Sequence, residues 1–382
     1  VARHLVKSEG YDAGFHIGVS PTNPEIVRIQ FFEPPGVEMS AGMQTEVEKH
    51  FMRGEFRRVA AADVGTISYP ARVRETYAAE LLSTIDAEAV RARRFRIVVD
   101  YGFSGASYVL PLVLGPLGVE VVAAHAFTGE GPDADAAPGL AASIGQTKRL
   151  VPAVGADLGA VFDRSAERLH LVDEQAHEVP VEQALLLFLS LLGSNGRRGK
   201  LAFPVTVTSQ VDRLVADSQL EVVRTPTSLA ELTRAAAEDG VVFAGAVGGG
   251  YVFPEFLPGY DAVASLAKLL ELLAPVNRPL SELVAELPQP TLVHYQVPCP
   301  WALKGLVMRV LNERLAGREL DLTDGIKLFD ERGWSQVRPD PDEPLIHLYA
   351  EGETREQSEE LARELRALVD EIEQGEAAAT RT

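Results

Sequence analysis

Four loops of this chain carry side chains with chemical potential. In AGFHIGVSPTNP the hydroxyl of Ser20 stands among Pro21, Thr22, Asn23 and Pro24, residue types that make a turn ahead of a strand. In VFDRSAERLHLVDE the residues Asp163, Ser165 and Glu167 alternate with Arg164, Ala166 and Arg168, which on residue types alone reads as a strand-end turn with an Asp–Arg pair. FAGAVGGGYVFPEF gathers Gly245, Gly248, Gly249 and Gly250. A dinucleotide-binding glycine loop needs a helix starting at once, so that its N–H groups face a pyrophosphate; the prolines of YVFPEFLPG argue against that chemistry. In WSQVRPDPDEP, Arg338 is an anion receptor by type, but Asp340 and Asp342 follow it and Pro341 lacks an N–H. The residues alone suggest a loop in which Arg338 pairs with a neighbouring aspartate. Weaker candidates are His16 and the loop DYGFSGAS, the latter a tight strand-to-helix turn or an anion site. Lys304, Arg309 and Arg314 do not share one helix face, which suggests a solvated helix.

These loops must be held by regular elements. RFRIVVD, then YGFSGAS, then YVLPLVLGPLG reads as strand, turn and helix, and GVEVVAAHAF and DLGAVFD continue the pattern. It returns in KLAFPVTV, LEVVRT and GVVFAGAVGGG, with SLAELTRAAAED as a helix between strands. Val-rich strands alternating with helices predict two consecutive α/β domains with parallel-rich mixed sheets. After NRPLSELVAELPQPTL the character changes. LVHYQV, IKLF and LIHLYAEG surround one helix, LKGLVMRVLNERLAG, and a last helix from about Thr354 to Glu373 carries Leu361, Leu365, Leu368, Val369 and Ile372 on one face. That predicts an α+β C-terminal domain. The expected divisions fall at 1–70, 71–196, 197–285 and 286–382, with the second break at the basic, Gly-rich SNGRRG.

Composition narrows the classes. A chain of 382 residues, 46% hydrophobic, can build several cores, and its net charge of −19 opposes binding to nucleic acid or anionic lipid. One cysteine, Cys299, gives no internal disulfide and suits a reducing, cytoplasmic setting. No apolar run reaches the roughly 20 residues that span a bilayer, and VARHLVKSEG lacks the apolar core of a signal peptide.

The order of the four loops resembles the α-D-phosphohexomutase superfamily, the phosphomannomutases and phosphoglucomutases. More closely it resembles the C-terminal mutase-like module of bacterial mannose-1-phosphate guanylyltransferases. The resemblance runs from about Asp12 to the last helix, and it implies that most of the family's first domain lies upstream of Val1. It makes Ser20 the phosphoryl carrier, although the histidine that follows in the family is Pro21 here. It makes Asp163, Ser165 and Glu167 the Mg²⁺ loop and Arg168 its catalytic arginine, where the family has three aspartates in Asp-Gly-Asp-x-Asp-Arg. Gly245, Gly248, Gly249 and Gly250 become the sugar-binding loop, with the family's Glu, Ser and His replaced by Ala246, Gly248 and Gly250. Arg338, Asp340 and Asp342 become the phosphate-binding loop, with Pro339, Glu343 and Pro344 kept and the central Ser-Gly-Thr lost.

Mg²⁺ demands near-ideal geometry, so the altered loop implies a metal that is weakly held or lost. Carboxylates beside a phosphate dianion oppose its binding. The expected function is a catalytically degenerate phosphomannomutase/phosphoglucomutase-type module of hexose-phosphate (mannose/GDP-mannose) metabolism. It would bind hexose phosphate, or regulate a fused or separate nucleotidyltransferase. The alternative is an active mutase that interconverts hexose 1-phosphate and 6-phosphate through Ser20.

Overall fold

The computed structural model describes residues 1–19, 27–54, 56–127 and 139–379; Ser20 and its turn therefore lie outside the described residues. The chain forms two units. One comprises Val1–Phe203, Leu214–Val223 and Ser228–Leu287; the other comprises Pro204–Arg213, Arg224–Thr227 and the chain from Pro288 on.

In the first unit, β1 (Gly14–Val19), β2 (Val27–Glu33) and β3 (Val37–Glu38) make a small antiparallel sheet. The next sheet has β4 (Arg96–Asp100), β5 (Glu120–Ala124), β6 (Leu158–Phe162), β7 (Leu169–Asp173) and β8 (Glu178–Val179) in the order β5-β4-β6-β7-β8. Its β5, β4 and β6 run parallel, and β7 and β8 turn back antiparallel. Ile97, Val98 and Val99 are fully buried, as expected of a strand covered on both faces. Helix Leu140–Val154 covers one face through Ile144 and Val151. The third sheet, β9 (Gly199–Pro204), β10 (Leu220–Thr225), β11 (Val241–Ala246) and β12 (Gly250–Val252), has the order β10-β9-β11-β12. There β9 and β11 are parallel and β11–β12 is a hairpin.

Two local outcomes differ from the sequence pattern. YVLPLVLGPLG yields only a five-residue helix, Leu110–Leu114, with Pro111 in its first turn, after a 3₁₀ turn at Gly105–Tyr108. Helix Val181–Ser194, grouped by sequence with residues 71–196, packs Phe188 against Phe243 and Tyr251 of the third sheet and Phe253 just after it, at ring distances of 4.5–5.7 Å.

The second unit has an antiparallel sheet of β13 (Val293–Pro298), β14 (Leu320–Asp321), β15 (Ile326–Asp330), β16 (Gly333–Pro339) and β17 (Leu345–Gly352), in the order β13-β17-β16-β15-β14. Helices Trp301–Arg314 and Arg355–Ala379 cover one face. The last helix buries Leu361, Leu365, Val369 and Ile372, the face expected from their spacing. The fold is thus α/β with mixed, parallel-rich sheets and an α+β C-terminal part, as the sequence indicated. Among the described residues no helix is long and apolar enough to cross a membrane.

The face of this last sheet turned away from the two helices holds Lys327, 7% exposed. Its ammonium donates to the Val205 carbonyl at 2.7 Å and lies 3.5 Å from the centre of a Trp334 ring. Burial, helped by the charge of Arg224, pulls its pKa down to about 8 against the opposing influence of Glu351, Asp321 and Asp212. Above pH 8 the folded chain releases this proton while the unfolded chain keeps it, so stability rises with pH until the unfolded lysine titrates. From pH 8 to 9.5 the gain over Lys327→Met should be about 1.5 kcal/mol. Both tryptophans, Trp301 and Trp334, lie in this unit, so urea melts followed by their fluorescence report it. Parallel pH profiles for the two chains would refute the buried charge.

Candidate functional site

Three of the four loops have described geometry. The first joins β6 to β7. Asp163 sits where β6 ends, and its carboxylate organises the turn. Oδ1 accepts the backbone N–H groups of Glu167 at 2.8 Å and Arg168 at 3.0 Å, and Oδ2 accepts the Ser165 hydroxyl at 2.6 Å. Ala166 takes a left-handed φ of 55° to close it. Glu167 turns toward the small sheet, where Gln30 of β2 donates to it at 3.4 Å and the Arg3 guanidinium lies 3.6 Å away. Arg3, on helix Ala2–Ser8, also pairs with Glu38 at 2.6 Å and lies 4.3 Å over the Phe32 ring. Nothing in VARHLVKSEG marks Arg3 as a site residue; only the tertiary fold brings it there.

The second loop is the β11–β12 turn. Its glycines permit close approach of two backbones. Gly249, at φ +84°, accepts the Leu169 N–H at 2.9 Å, and a Cβ there would lie 2.7 Å from the Leu169 carbonyl oxygen. A Cβ on Gly248 would meet the Arg168 guanidinium at 3.3 Å, one on Gly250 the Tyr260 ring at 2.6 Å, and one on Gly245 Leu185 at 2.7 Å. Arg168 and Gly250 form an antiparallel bridge. The structure therefore brings the Asp163–Arg168 loop and the glycine loop together, with the Arg168 side chain exposed beside them.

Asp261 caps helix Ala262–Leu273 through the Ala264 N–H at 2.9 Å and accepts the Tyr77 hydroxyl at 2.6 Å. Burial first, then Asp261, hold the Tyr77 phenol well above its usual pKa. A cavity of about 490 Å³ opens here, bordered by Arg3, His16, Gln30, Ser165, Glu167 and Tyr260. His16 thus faces the same space as the Asp163 loop.

The remaining loop belongs to the second unit and joins β16 to β17. Arg338 does pair with an aspartate, but with Asp324, at 2.8 Å from Nε. Asp340 fills its own turn. Oδ1 accepts the N–H groups of Asp342 at 2.8 Å and Glu343 at 2.7 Å, and Oδ2 bonds His347 Nε2 at 2.8 Å. Burial works against the Asp340 charge, but His347 and the two N–H groups hold its carboxyl below the usual range. His347 Nδ1 in turn bonds His294 at 2.9 Å, and His294 stacks on Tyr349 with ring centres 4.3 Å apart. Burial, with His347 adding, pushes the His294 pKa down to about 4.

Lys304 corrects the solvated-helix expectation. It is 7% exposed, lies 3.6 Å from the Trp301 ring centre, and donates to the Asp340 carbonyl at 2.6 Å and to that of Glu343. Arg309 and Arg314 of the same helix do face solvent. Of the groups around these loops, Arg3, Tyr260, Asp324 and His347 escaped sequence reasoning, which reads Lys304 as solvated.

Two family models match: "Phosphoglucomutase/phosphomannomutase, alpha/beta/alpha domain II" over residues 75–176, and the corresponding domain III over 182–291. A protein of Methanopyrus kandleri named probable phosphoglucosamine mutase is 33% identical over 364 residues, which are 94% of this chain and 78% of that protein. Among solved structures, a phosphoglucomutase/phosphomannomutase family protein of Burkholderia thailandensis superposes with a TM-score of 0.77 at 20% identity, covering 95% of this chain and 77% of the other. The N-acetylphosphoglucosamine mutase of Aspergillus fumigatus, in complex with GlcNAc-6P and magnesium, gives 0.63 at 13% identity, covering 97% and 91%. At such identities the structural likeness speaks for the fold.

Proposed function

The chain belongs to the phosphoglucomutase/phosphomannomutase family, and from that premise we propose that it is a member whose phosphoryl-transfer machinery is dismantled and whose work is binding or regulation. One observation carries this reading: the loop corresponding to the family's phosphate cradle is filled by its own carboxylate. Two N–H groups that could face a phosphate oxygen are taken by Asp340, and Arg338 is taken by Asp324. A dianion arriving there would have to displace carboxylates and meet their charge.

The loop of Asp163, Ser165 and Glu167 does not fit Mg²⁺ either, which is the reason for proposing a weak or lost metal. Both Asp163 oxygens are already bonded, and Glu167 faces a guanidinium. Among the described residues no three His, Cys, Asp or Glu side chains gather to hold a metal. The four divisions 1–70, 71–196, 197–285 and 286–382 go with this reading. So does a role beside a mannose-1-phosphate guanylyltransferase, which rests on the resemblance of the loops alone.

The test is phosphate binding. Asp340→Ser with Asp342→Thr should tighten mannose 1-phosphate binding at least tenfold in calorimetry, because two carboxylates leave and two hydroxyls arrive. Unchanged affinity in a folded double variant would remove the carrying observation. A second reading, an active mutase, draws on Arg168, which remains exposed beside the glycine loop. It requires Ser20-dependent conversion of mannose 1-phosphate to mannose 6-phosphate, lost in Ser20→Ala without change in melting temperature.

A further inference from the structure

We propose that the guanidinium of Arg3 takes the place of a divalent cation at the Asp163–Arg168 loop, so that this chain fixes the loop without metal. The inference deepens the reading of that loop as degenerate. Two carboxylates from different segments, Glu38 on β3 and Glu167 after β6, converge on one guanidinium nitrogen, at 2.6 Å and 3.6 Å. The three side chains are shielded, with Arg3 6%, Glu38 11% and Glu167 16% exposed. Acidic groups this close and this sheltered repel one another unless a cation lies between them. Arginine supplies that cation permanently, because its planar donors stay protonated and can serve two acceptors at once.

The surroundings look shaped for this side chain. A Cβ on Gly259 would lie 2.8 Å from Arg3 Cδ and 3.3 Å from its Nε, so a larger residue there would crowd the arginine side chain. The Phe32 ring closes another side, and Gly36 accepts a further Arg3 hydrogen bond at 3.5 Å. Asp163 is largely committed, since its two oxygens already take three donors from its own turn, about three of the four acceptor sites of a carboxylate. A divalent ion approaching Glu167 would therefore meet a fixed positive charge and a carboxylate already engaged by three donors. Ser165 offers only a hydroxyl, and that hydroxyl is donated to Asp163.

The experiment is a Mn²⁺ titration of the whole chain, followed by loss of the free-ion electron paramagnetic resonance signal. Mn²⁺ accepts the same oxygen ligands as Mg²⁺. The native chain and Ser165→Asp should both leave Mn²⁺ free at ~1 mM, a concentration that fills even weak oxygen sites. Ser165→Asp combined with Arg3→Gln should gain binding at least tenfold tighter than either. Silence from the folded double variant overturns the proposal, as does uptake by Ser165→Asp alone.

Should the double variant not fold, melting of the native chain and of Glu167→Gln decides instead. The proposal requires that 10-fold changes in Mn²⁺ move neither transition, since only a ligand of the folded state raises it. A Mn²⁺-dependent rise in the native chain that is absent from Glu167→Gln overturns it. Either result leaves the phosphate-binding test at Asp340 untouched, so the two readings fail separately.

Discussion

Glu351→Ala should destabilise the C-terminal unit by about 4 kcal/mol, since four donors would lose one buried acceptor and each such loss costs about 1–3 kcal/mol less whatever relaxation recovers. Glu351 is 4% exposed on β17. It accepts the Trp334 indole N–H at 2.7 Å and the Ser209 backbone N–H at 2.8 Å, and also the hydroxyls of Thr208 and Ser209. The carboxylate thereby ties residues 208–209 to the sheet. It also raises the affinity of Lys327 for its proton, so the variant's stability should gain more between pH 8 and 9.5 than the native chain's does. Glu351→Gln keeps the shape but presents an amide to donors, and an intermediate loss of about 2 kcal/mol follows. Urea melts read by tryptophan fluorescence measure all three chains. A loss below ~1 kcal/mol for the alanine variant would mean that water replaces the carboxylate, against its burial.

Much of this architecture is legible in sequence, because its signals are local. Val98, Val161 and Leu171 lie in short apolar runs between turn residues, and such runs are what a helix-covered sheet requires. The last helix shows its buried face through spacing alone. The helix Val181–Ser194 shows the limit. VEQALLLFLSLLGS is apolar on nearly every side, so its pattern does not say which sheet it serves, and only the placement of Phe188 among three aromatic rings assigns it.

The site divides in the same way. The types and order of Asp163, Arg168, Gly245, Gly250 and Arg338 are visible, and so is the placement of a carboxylate where a hydroxyl would serve phosphate. What each side chain bonds to is not. That Asp340 caps its own turn while Asp324 holds Arg338 depends on the hairpin geometry and on a loop across the sheet. Arg3 reaches Glu167 only because helix Ala2–Ser8 packs on β1 and β2, which bring it beside the loop after β6. Lys304 follows the same rule: helical periodicity sets its direction, but the Asp340 and Glu343 carbonyls that bury it come from a distant hairpin.

The glycine loop carries the second large effect. On the family resemblance, position 250 held a histidine that reads sugar hydroxyls, so Gly250→His looks like a restoration. It should instead cost about 3 kcal/mol or more, at or beyond the upper end for overpacking a filled site. A Cβ there would fall 2.6 Å from two atoms of the Tyr260 ring and 2.8 Å from a third, before any imidazole is added. The ring is half-buried, and the burial that raises its phenol pKa well above the usual value is packing that any swing toward the neighbouring cavity would give up. Displacing the loop would also break the Leu169–Gly249 hydrogen bond and the Arg168–Gly250 bridge, so hydrogen exchange at the Leu169 amide should quicken with the loss of stability. Adding Tyr260→Ala should return part of the cost, and the double-mutant cycle should give a favourable coupling of about 1 kcal/mol or more. A folded Gly250→His chain with native melting would show that Tyr260 yields freely. A strongly coupled pair would mean that the sugar loop has lost the room for its side chain as well as the side chain itself, so that recovering the family pattern takes paired substitutions rather than single ones.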